Sequence, residues 1–259
     1  MPELDKKELA KLLLQAQETA VPLGAEYSQS FTSEADAYAV QLEVREEKLR
    51  RGFRVVGKKI GFTSKAMRQQ FNLDRPDYGN VFSDQVFTSG VPIEIKKFIK
   101  PRVEGEIAFM LKKDLRGPGV TVSEVIHATH GIMACLEFVD IRWDVPTFNI
   151  LDSIADNAAC GGILLGSKMV PLDNLDLRYL AMFVEKNGEL VNSGAGVEVM
   201  GDPLNAVAWL ANAMAEQGNY LMAGEVVLSG AITGATPVQA GDSMRVSFSS
   251  LGSISVKFV

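Results

Sequence analysis

The sequence predicts an α+β protein built as one domain, in which a small helical N-terminal lobe leads into a large mixed β core. Three observations carry this reading. Two capped helical segments fill the first 54 positions, segments rich in β-branched residues recur from Val55 onward, and no linker, repeat or low-complexity tract interrupts the 259 residues. The expected organisation is therefore a single domain, 1–259, with the helical lobe over 1–54 and the mixed β core over 55–259.

The first helix is expected from Asp5 to Val21, where Leu9, Leu12, Leu13 and Ala16 recur at helical spacing and Pro22 stops the run. Ser33-Glu34-Ala35-Asp36 has the form of a capping box. Behind it Ala37, Val40 and Val44 share one stripe, and Leu49-Arg50-Arg51-Gly52 ends the helix with basic residues at its negative pole and glycine as its stop. Val55 to Thr63 predicts a strand and turn, and Ser64 to Phe71 a short helix. Asp74-Arg75-Pro76-Asp77-Tyr78-Gly79 predicts a loop by its composition.

Val91-Pro92-Ile93-Glu94-Ile95 alternates as a strand, and Val103 to Lys112 does so again. Asp114 to Gly119 predicts a turn, and Thr121-Val122-Ser123-Glu124 a capping box opening a helix through His130. Met133 to Ile141 has the texture of a buried strand. Asp202-Pro203 places an N-cap before a proline at the first helical position, for a helix running to Gly218. The last forty residues are β in composition, with strands around Glu225–Gly230, Ser243–Phe248 and Ser253–Phe258 separated by short glycine turns.

Lys plus Arg number 26 against 32 Asp plus Glu, a formal charge of -6, and no basic cluster offers a face for phosphates, which argues against nucleic acid as partner. A hydrophobic fraction of 47% with 22% charged residues is that of a folded globular protein. No apolar run reaches the roughly 18 residues of a membrane span, and Met1 to Lys7 has no apolar signal core behind it. Cys135 and Cys160 lie in small or apolar segments, as buried free thiols do, although a bond between them stays open. A cytoplasmic protein is the expectation, with no membrane partner.

Glu104 and Glu106 lie two apart in a strand, so both carboxylates share one face while Val103, Gly105 and Ile107 face the other way. Glu137 sits in the otherwise apolar run Met133 to Val139, where an unpaired carboxylate is costly. Three acids in need of neutralisation, all oxygen ligands, fit a hard cation such as Mg2+ or Mn2+. The competing reading is a solvated strand face balanced by Arg102 and Lys100. His127 and His130 could share a helix face as ligands, but a surface role is favoured for both. Gly57 and Gly61 do not form a phosphate loop, because the Gly-Lys-Ser/Thr ending is missing. Lys59, among Val, Ile and Gly, is either a partly buried ammonium or an outward lysine on an edge strand.

Taken together, Gly57-Lys58-Lys59-Ile60-Gly61-Phe62-Thr63, Pro76-Asp77-Tyr78-Gly79, Pro101-Arg102-Val103-Glu104-Gly105-Glu106, Leu136-Glu137, Ala155-Asp156-Asn157-Ala158 and Ala223 to Gly230 form an ordered set spanning nearly the whole chain. That set resembles the 2-hydroxypentadienoate hydratase and 4-oxalocrotonate decarboxylase group of the fumarylacetoacetate hydrolase superfamily. The resemblance implies a strongly coiled mixed sheet with a small helical lobe, and assembly into homo-oligomers such as pentamers or decamers. It implies Mg2+ or Mn2+ on Glu104, Glu106 and Glu137, catalytic roles for Lys59 and Asp77, and substrate contacts from Asn157 and Thr233. Thr233 remains open between holding a substrate carboxylate and capping the turn after its strand.

The activity so implied is hydration of 2-hydroxypenta-2,4-dienoate or a close relative in meta-cleavage catabolism of aromatic compounds. Asp156-Asn157-Ala158-Ala159-Cys160-Gly161 follows the hydratase form, whereas Gly230-Ala231-Ile232-Thr233-Gly234-Ala235 leans toward the decarboxylases. Decarboxylation of 4-oxalocrotonate is therefore the alternative. A chain kept as a structural partner in a hydratase–decarboxylase complex is a third reading, and retention of the three acids and Lys59 speaks against it.

Overall fold

A computed structural model describes residues 5–28, 31–144 and 149–259. Met1 to Leu4, part of the segment in which a signal core was sought, lies outside the described residues. Two helices open the chain. Asp5 caps α1 (Lys6–Thr19) by accepting from Lys7 N, and Ser33 caps α2 (Glu34–Arg50) by accepting from Asp36 N. Leu9, Leu13 and Leu14 of α1 pack against Val40 and Val44 of α2, together with Trp143 and Ile154 from far along the chain. The helix α1 ends two residues ahead of Pro22, on Ala20 in the left-handed conformation.

The β elements follow in chain order as β1 (Leu23–Gly24), β2 (Val55–Gly61), β3 (Asp77–Phe82), β4 (Val86–Phe87), β5 (Arg102–Leu111), β6 (Thr129–Val139), β7 (Trp143–Asp144) and β8 (Cys160–Val170). They continue as β9 (Ala181–Lys186), β10 (Glu189–Ala195), β11 (Val226–Leu228), β12 (Thr236–Pro237), β13 (Ser243–Phe248) and β14 (Gly252–Lys257). Interleaved helices are α3 (Lys65–Phe71), α4 (Val122–Ala128), α5 (Ile150–Ala155) and α6 (Pro203–Ala215).

The main sheet has the order β3-β2-β11-β5-β6-β8-β4, with β12 added to β5. It is mixed, because β2 and β11 run parallel while β5, β6 and β8 are antiparallel neighbours. A second, antiparallel sheet has the order β10-β9-β13-β14. Val103, Ile107 and Phe109 of β5 share a core with Met182, Val184 and Val246 of that second sheet. Period-two alternation then turns Glu104 and Glu106 to the opposite face of β5. No described helix is long and apolar enough to cross a membrane.

Three sequence expectations need correction, and some elements were not expected. Asp77, Tyr78 and Gly79 begin strand β3 instead of lying in a loop, because their backbone pairs with Gly61, Ile60 and Lys59. The segment 91–95 forms only an isolated bridge from Ile93 to Phe258 before a single helical turn, Ile95–Lys97. The helix opened by Thr121 ends at Ala128, so His127 and His130 stand on different elements, and both are exposed. The strands β8, β9 and β10 and the helix α5 carried no clear signal, since their glycines and polar residues blur the alternation.

Candidate active site

The site begins with pairing between β5 and β6. Glu104 stands directly opposite Glu137, and Glu106 opposite Cys135, so the three carboxylates converge on one side of the sheet. One oxygen from each lies within 4.8 Å of the others. Glu106 and Glu137 are completely buried. Glu106 Oε2 accepts from Gly230 N at 2.8 Å, while its Oε1 and Glu137 Oε2 have no hydrogen-bond donor and Glu137 Oε1 faces only the Lys59 ammonium. This overturns the solvated-face reading for Glu106 and Glu137, while Glu104 is half-buried at the cavity wall.

Burial raises the Glu104 carboxyl to about 7, with Glu137 pushing the same way. Burial, then Glu137 and Glu104, drives Glu106 well above its ordinary range, and burial also raises Glu137 against the pull of Lys59. A buried acid trio with orphaned oxygens is strongly disfavoured without a cation. Oxygen-only donors in this arrangement suit a hard divalent ion. The residues present therefore fit Mg2+ or Mn2+, and the orphaned oxygens of Glu106 and Glu137 are the observation that tests the fit.

Lys59 comes from β2, an interior strand paired on both sides by β3 and β11, so it is not the edge lysine of the alternative reading. Strand alternation sends its neighbour Lys58 to the other face, where it pairs with buried Glu225 at 2.8 Å. The Lys59 ammonium donates to Ala158 O at 2.9 Å and forms an ion pair with Glu137 Oε1 at 3.2 Å. Burial alone lowers an ammonium's affinity for its proton, but Glu137, Asp77, Glu104 and Glu106 outweigh it and hold Lys59 charged.

Asp77 opens β3 against Gly61. Its Oδ2 accepts from Ser153 Oγ at 2.7 Å, and its buried Oδ1 has no donor. Burial raises this carboxyl, opposed by Lys59 and Ser153. A methyl group on Gly61 would overlap Asp77 Oδ1, so glycine at 61 makes room for the acid.

The turn after α5 supplies Ala158 O. Asn157, Ala158 and Ala159 all have positive φ, between 52° and 55°, a strained run that needs external support. Asn157 provides it by accepting from Asn80 N and donating to Asn80 O, both at 2.7 Å. Its amide is directed at Asn80, and Asn157 is not among the residues lining the cavity. Asn157 is thus placed in the turn that carries the lysine's acceptor, and not in the cavity wall.

A cavity of about 780 Å³ opens over this cluster, lined by Lys59, Asp77, Glu104 and Ser153. Phe62, Met67 and Phe71 add apolar walls, and half-buried Thr233 lies in the lining. Three contributors carried no recognisable sequence signal. Ser153 holds Asp77, Arg142 pairs with Asp156 at 2.6 Å beneath the strained turn, and the Asp140 carboxylate accepts from the backbone of Ile99 and Lys100. Each acts on a residue distant in sequence, so no local pattern could have revealed it.

The family model described as fumarylacetoacetate (FAA) hydrolase C-terminal matches residues 48–259. The chain is 45% identical over 213 residues to a 2-hydroxypent-2,4-dienoate hydratase of Pseudomonas putida, covering 82% of this chain and 94% of the relative. It is 40% identical over 225 residues to a 4-oxalocrotonate decarboxylase of Pseudomonas putida, covering 87% and 85%. Among solved structures, a 4-oxalocrotonate decarboxylase from Pseudomonas putida G7, complexed with magnesium and adipate, superposes with a TM-score of 0.94 at 36% identity, covering 98% of this chain and 97% of that one.

Proposed function

The chain belongs to the fumarylacetoacetate hydrolase family, and from that premise we propose that it is a metal-dependent lyase that hydrates a 2-hydroxy-2,4-dienoate, of which 2-hydroxypenta-2,4-dienoate is the simplest. The single observation that carries the reading is the converging trio Glu104, Glu106 and Glu137, two of them fully buried, with the unpartnered oxygens Glu106 Oε1 and Glu137 Oε2 beside Lys59. Magnesium in the superposed decarboxylase supports a divalent ion, Mg2+ or Mn2+, on these three acids. Such an ion supplies positive charge for the carboxylate and C2 oxygen of a 2-oxo or 2-hydroxy acid.

The chain's own residues provide the proton chemistry. The Lys59 ammonium, fixed by Ala158 O and Glu137, reinforces negative charge developing on the substrate's C2 oxygen. Asp77, clamped through Oδ2 by Ser153, presents the unpartnered Oδ1 to the cavity side of Gly61. Its raised affinity for a proton suits a group that delivers a proton to C5 as the dienol ketonises and takes one from the water that adds at C4, the proton released from the 2-hydroxyl balancing the one taken up at C3. Apolar Phe62, Met67 and Phe71 keep bulk water from the conjugated tail.

Decarboxylation of 4-oxalocrotonate is the second reading, favoured by the superposition with a decarboxylase and by Thr233 in the cavity wall. The same charge sink then accepts the electron pair left by carbon dioxide. The deciding experiment supplies Mg2+ with freshly generated 2-hydroxypenta-2,4-dienoate and, separately, with 4-oxalocrotonate, following ultraviolet absorbance and carbon dioxide. Loss of the dienoate without carbon dioxide supports the hydratase, carbon dioxide from the diacid supports the decarboxylase, and silence with both removes the enzymatic reading in favour of a structural partner.

On the family resemblance we also infer a cytoplasmic homo-oligomer, pentameric or decameric, able to associate with a companion hydratase or decarboxylase. Light scattering on the purified chain, alone and with such a companion, tests this.

A further inference from the structure

Strand alternation gives β2 and β3 a second face behind the acid cluster. Lys59, Gly61 and Asp77 belong to the front, so Lys58, Tyr78 and Asn80 belong to the rear, where Lys58 and Asn80 are direct cross-strand partners. A separate cavity of about 200 Å³ opens there, bounded also by α2 and by the chain beyond α6. Its described lining holds two cations, Lys58 and Arg45, and no carboxylate. Tyr38 and Tyr78, stacked with ring centroids 4.7 Å apart, form an aromatic wall. The buried Tyr78 hydroxyl makes no hydrogen bond of normal geometry, with the Gln217 amide beside it.

Lys58 is buried but only partly engaged. One of its three N–H groups goes to Glu225 Oε1 at 2.8 Å, and the other oxygen of Glu225 is taken by Met222 N at 2.9 Å. Burial loosens the Lys58 proton, Glu225 opposes this, and the charge of Arg45 adds to it. Arg45 itself donates through one nitrogen to Glu46 on the exposed side of α2. A carboxylate in the cavity would therefore meet two cations that repel each other, and would relieve that repulsion. The volume exceeds the roughly 150 Å³ in which an apolar cavity takes up benzene, so an acid of that size fits. Asn80 links this cavity to the front, because its backbone exchanges two hydrogen bonds with the Asn157 amide. That amide braces the strained turn carrying Ala158 O, the acceptor of Lys59.

We propose that the rear cavity is a second binding site, for a small carboxylate anion, and that its occupant steadies the Ala158 turn through Asn80. The site is independent of the lyase reading, because the acid trio lies on the opposite face of the sheet.

The test is calorimetric binding of benzoate and of its neutral counterpart benzamide to the Mg2+-loaded protein. Wild type is expected to bind benzoate about tenfold more tightly. Glu106→Gln, which weakens the metal on the front face, should keep that margin. Arg45→Gln should cut it to about threefold or less. Lys58→Met combined with Glu225→Gln, which leaves no buried charge alone, should abolish it. Hydrogen exchange in the peptide over 155–160 is expected to slow with benzoate and not with benzamide. A missing margin in wild type, or one that survives Arg45→Gln intact, overturns the site. A margin lost in Glu106→Gln overturns it too, since benzoate would then sit on the metal. Unchanged exchange at saturating benzoate overturns the coupling to the turn. Failure of the lyase reading has a separate signature, namely no turnover of dienoate or oxalocrotonate while the benzoate margin persists.

Discussion

Glu104 and Glu137 are direct cross-strand partners on β5 and β6, two acids facing each other in the interior of a sheet. Opposed like charges destabilise a sheet, and burial magnifies the effect. The arrangement is understandable as a holder for a divalent ion, with Lys59 reaching Glu137 from the adjoining strand system.

Glu106→Gln keeps the size of the side chain and an oxygen for Gly230 N, so the fold should survive. Mg2+ affinity is expected to fall by about a hundredfold or more, and turnover to become undetectable. Calorimetric titration with Mg2+ and the dienoate assay check this. Full activity of metal-stripped protein would sink the mechanism.

The acid trio also sets a pH dependence for the metal-free protein. Burial raises Glu104 from its ordinary 4.5 to about 7, so the folded state holds a proton that the unfolded state has released. Stability from this group is present below 4.5 and is lost as pH climbs through about 7. Melting temperature in chelator should therefore fall across this window, and saturating Mg2+ should flatten the slope at the upper end. A melting temperature that rises with pH in chelator would contradict the assignment.

Lys59→Ala removes the cation beside Glu137 without removing a metal ligand. Turnover is expected to drop by about a hundredfold or more, with a smaller change in Mg2+ affinity. Parallel measurement of kcat and of metal binding separates the two. Normal turnover would take Lys59 out of the catalytic set.

Gly61→Ala tests the placement of Asp77, because the added methyl overlaps Asp77 Oδ1. It should lower kcat more than KM, and Asp77→Asn should do the same with the Ser153 hydrogen bond retained. If Gly61→Ala has wild-type kcat, the position of Oδ1 does not matter to the reaction.

Arg142 and Asp156 form a buried pair at 2.6 Å under the strained turn that carries Ala158. Arg142→Met leaves Asp156 buried and unpaired, at an expected cost of about 3–5 kcal/mol. Adding Asp156→Asn should recover part of that loss in denaturant unfolding. A single substitution without effect would show that the pair does not support the turn.

The sequence by itself determined the α+β class, the capped helices α1, α2, α4 and α6, and the acid pair on β5, because caps and period-two alternation are local and act within a few residues. Its ordered motifs also named Lys59, Asp77 and Glu137 before any pairing was known. Tertiary structure alone decided that Glu137 faces Glu104, that Lys59 and not Lys58 turns toward the acids, and that Asp77 belongs to a strand. It also joined Asn157 to Asn80 and brought Ser153 to Asp77. Strand register and side-chain pairing join residues far apart along the chain, and their energies depend on burial that exists only after the sheet has formed.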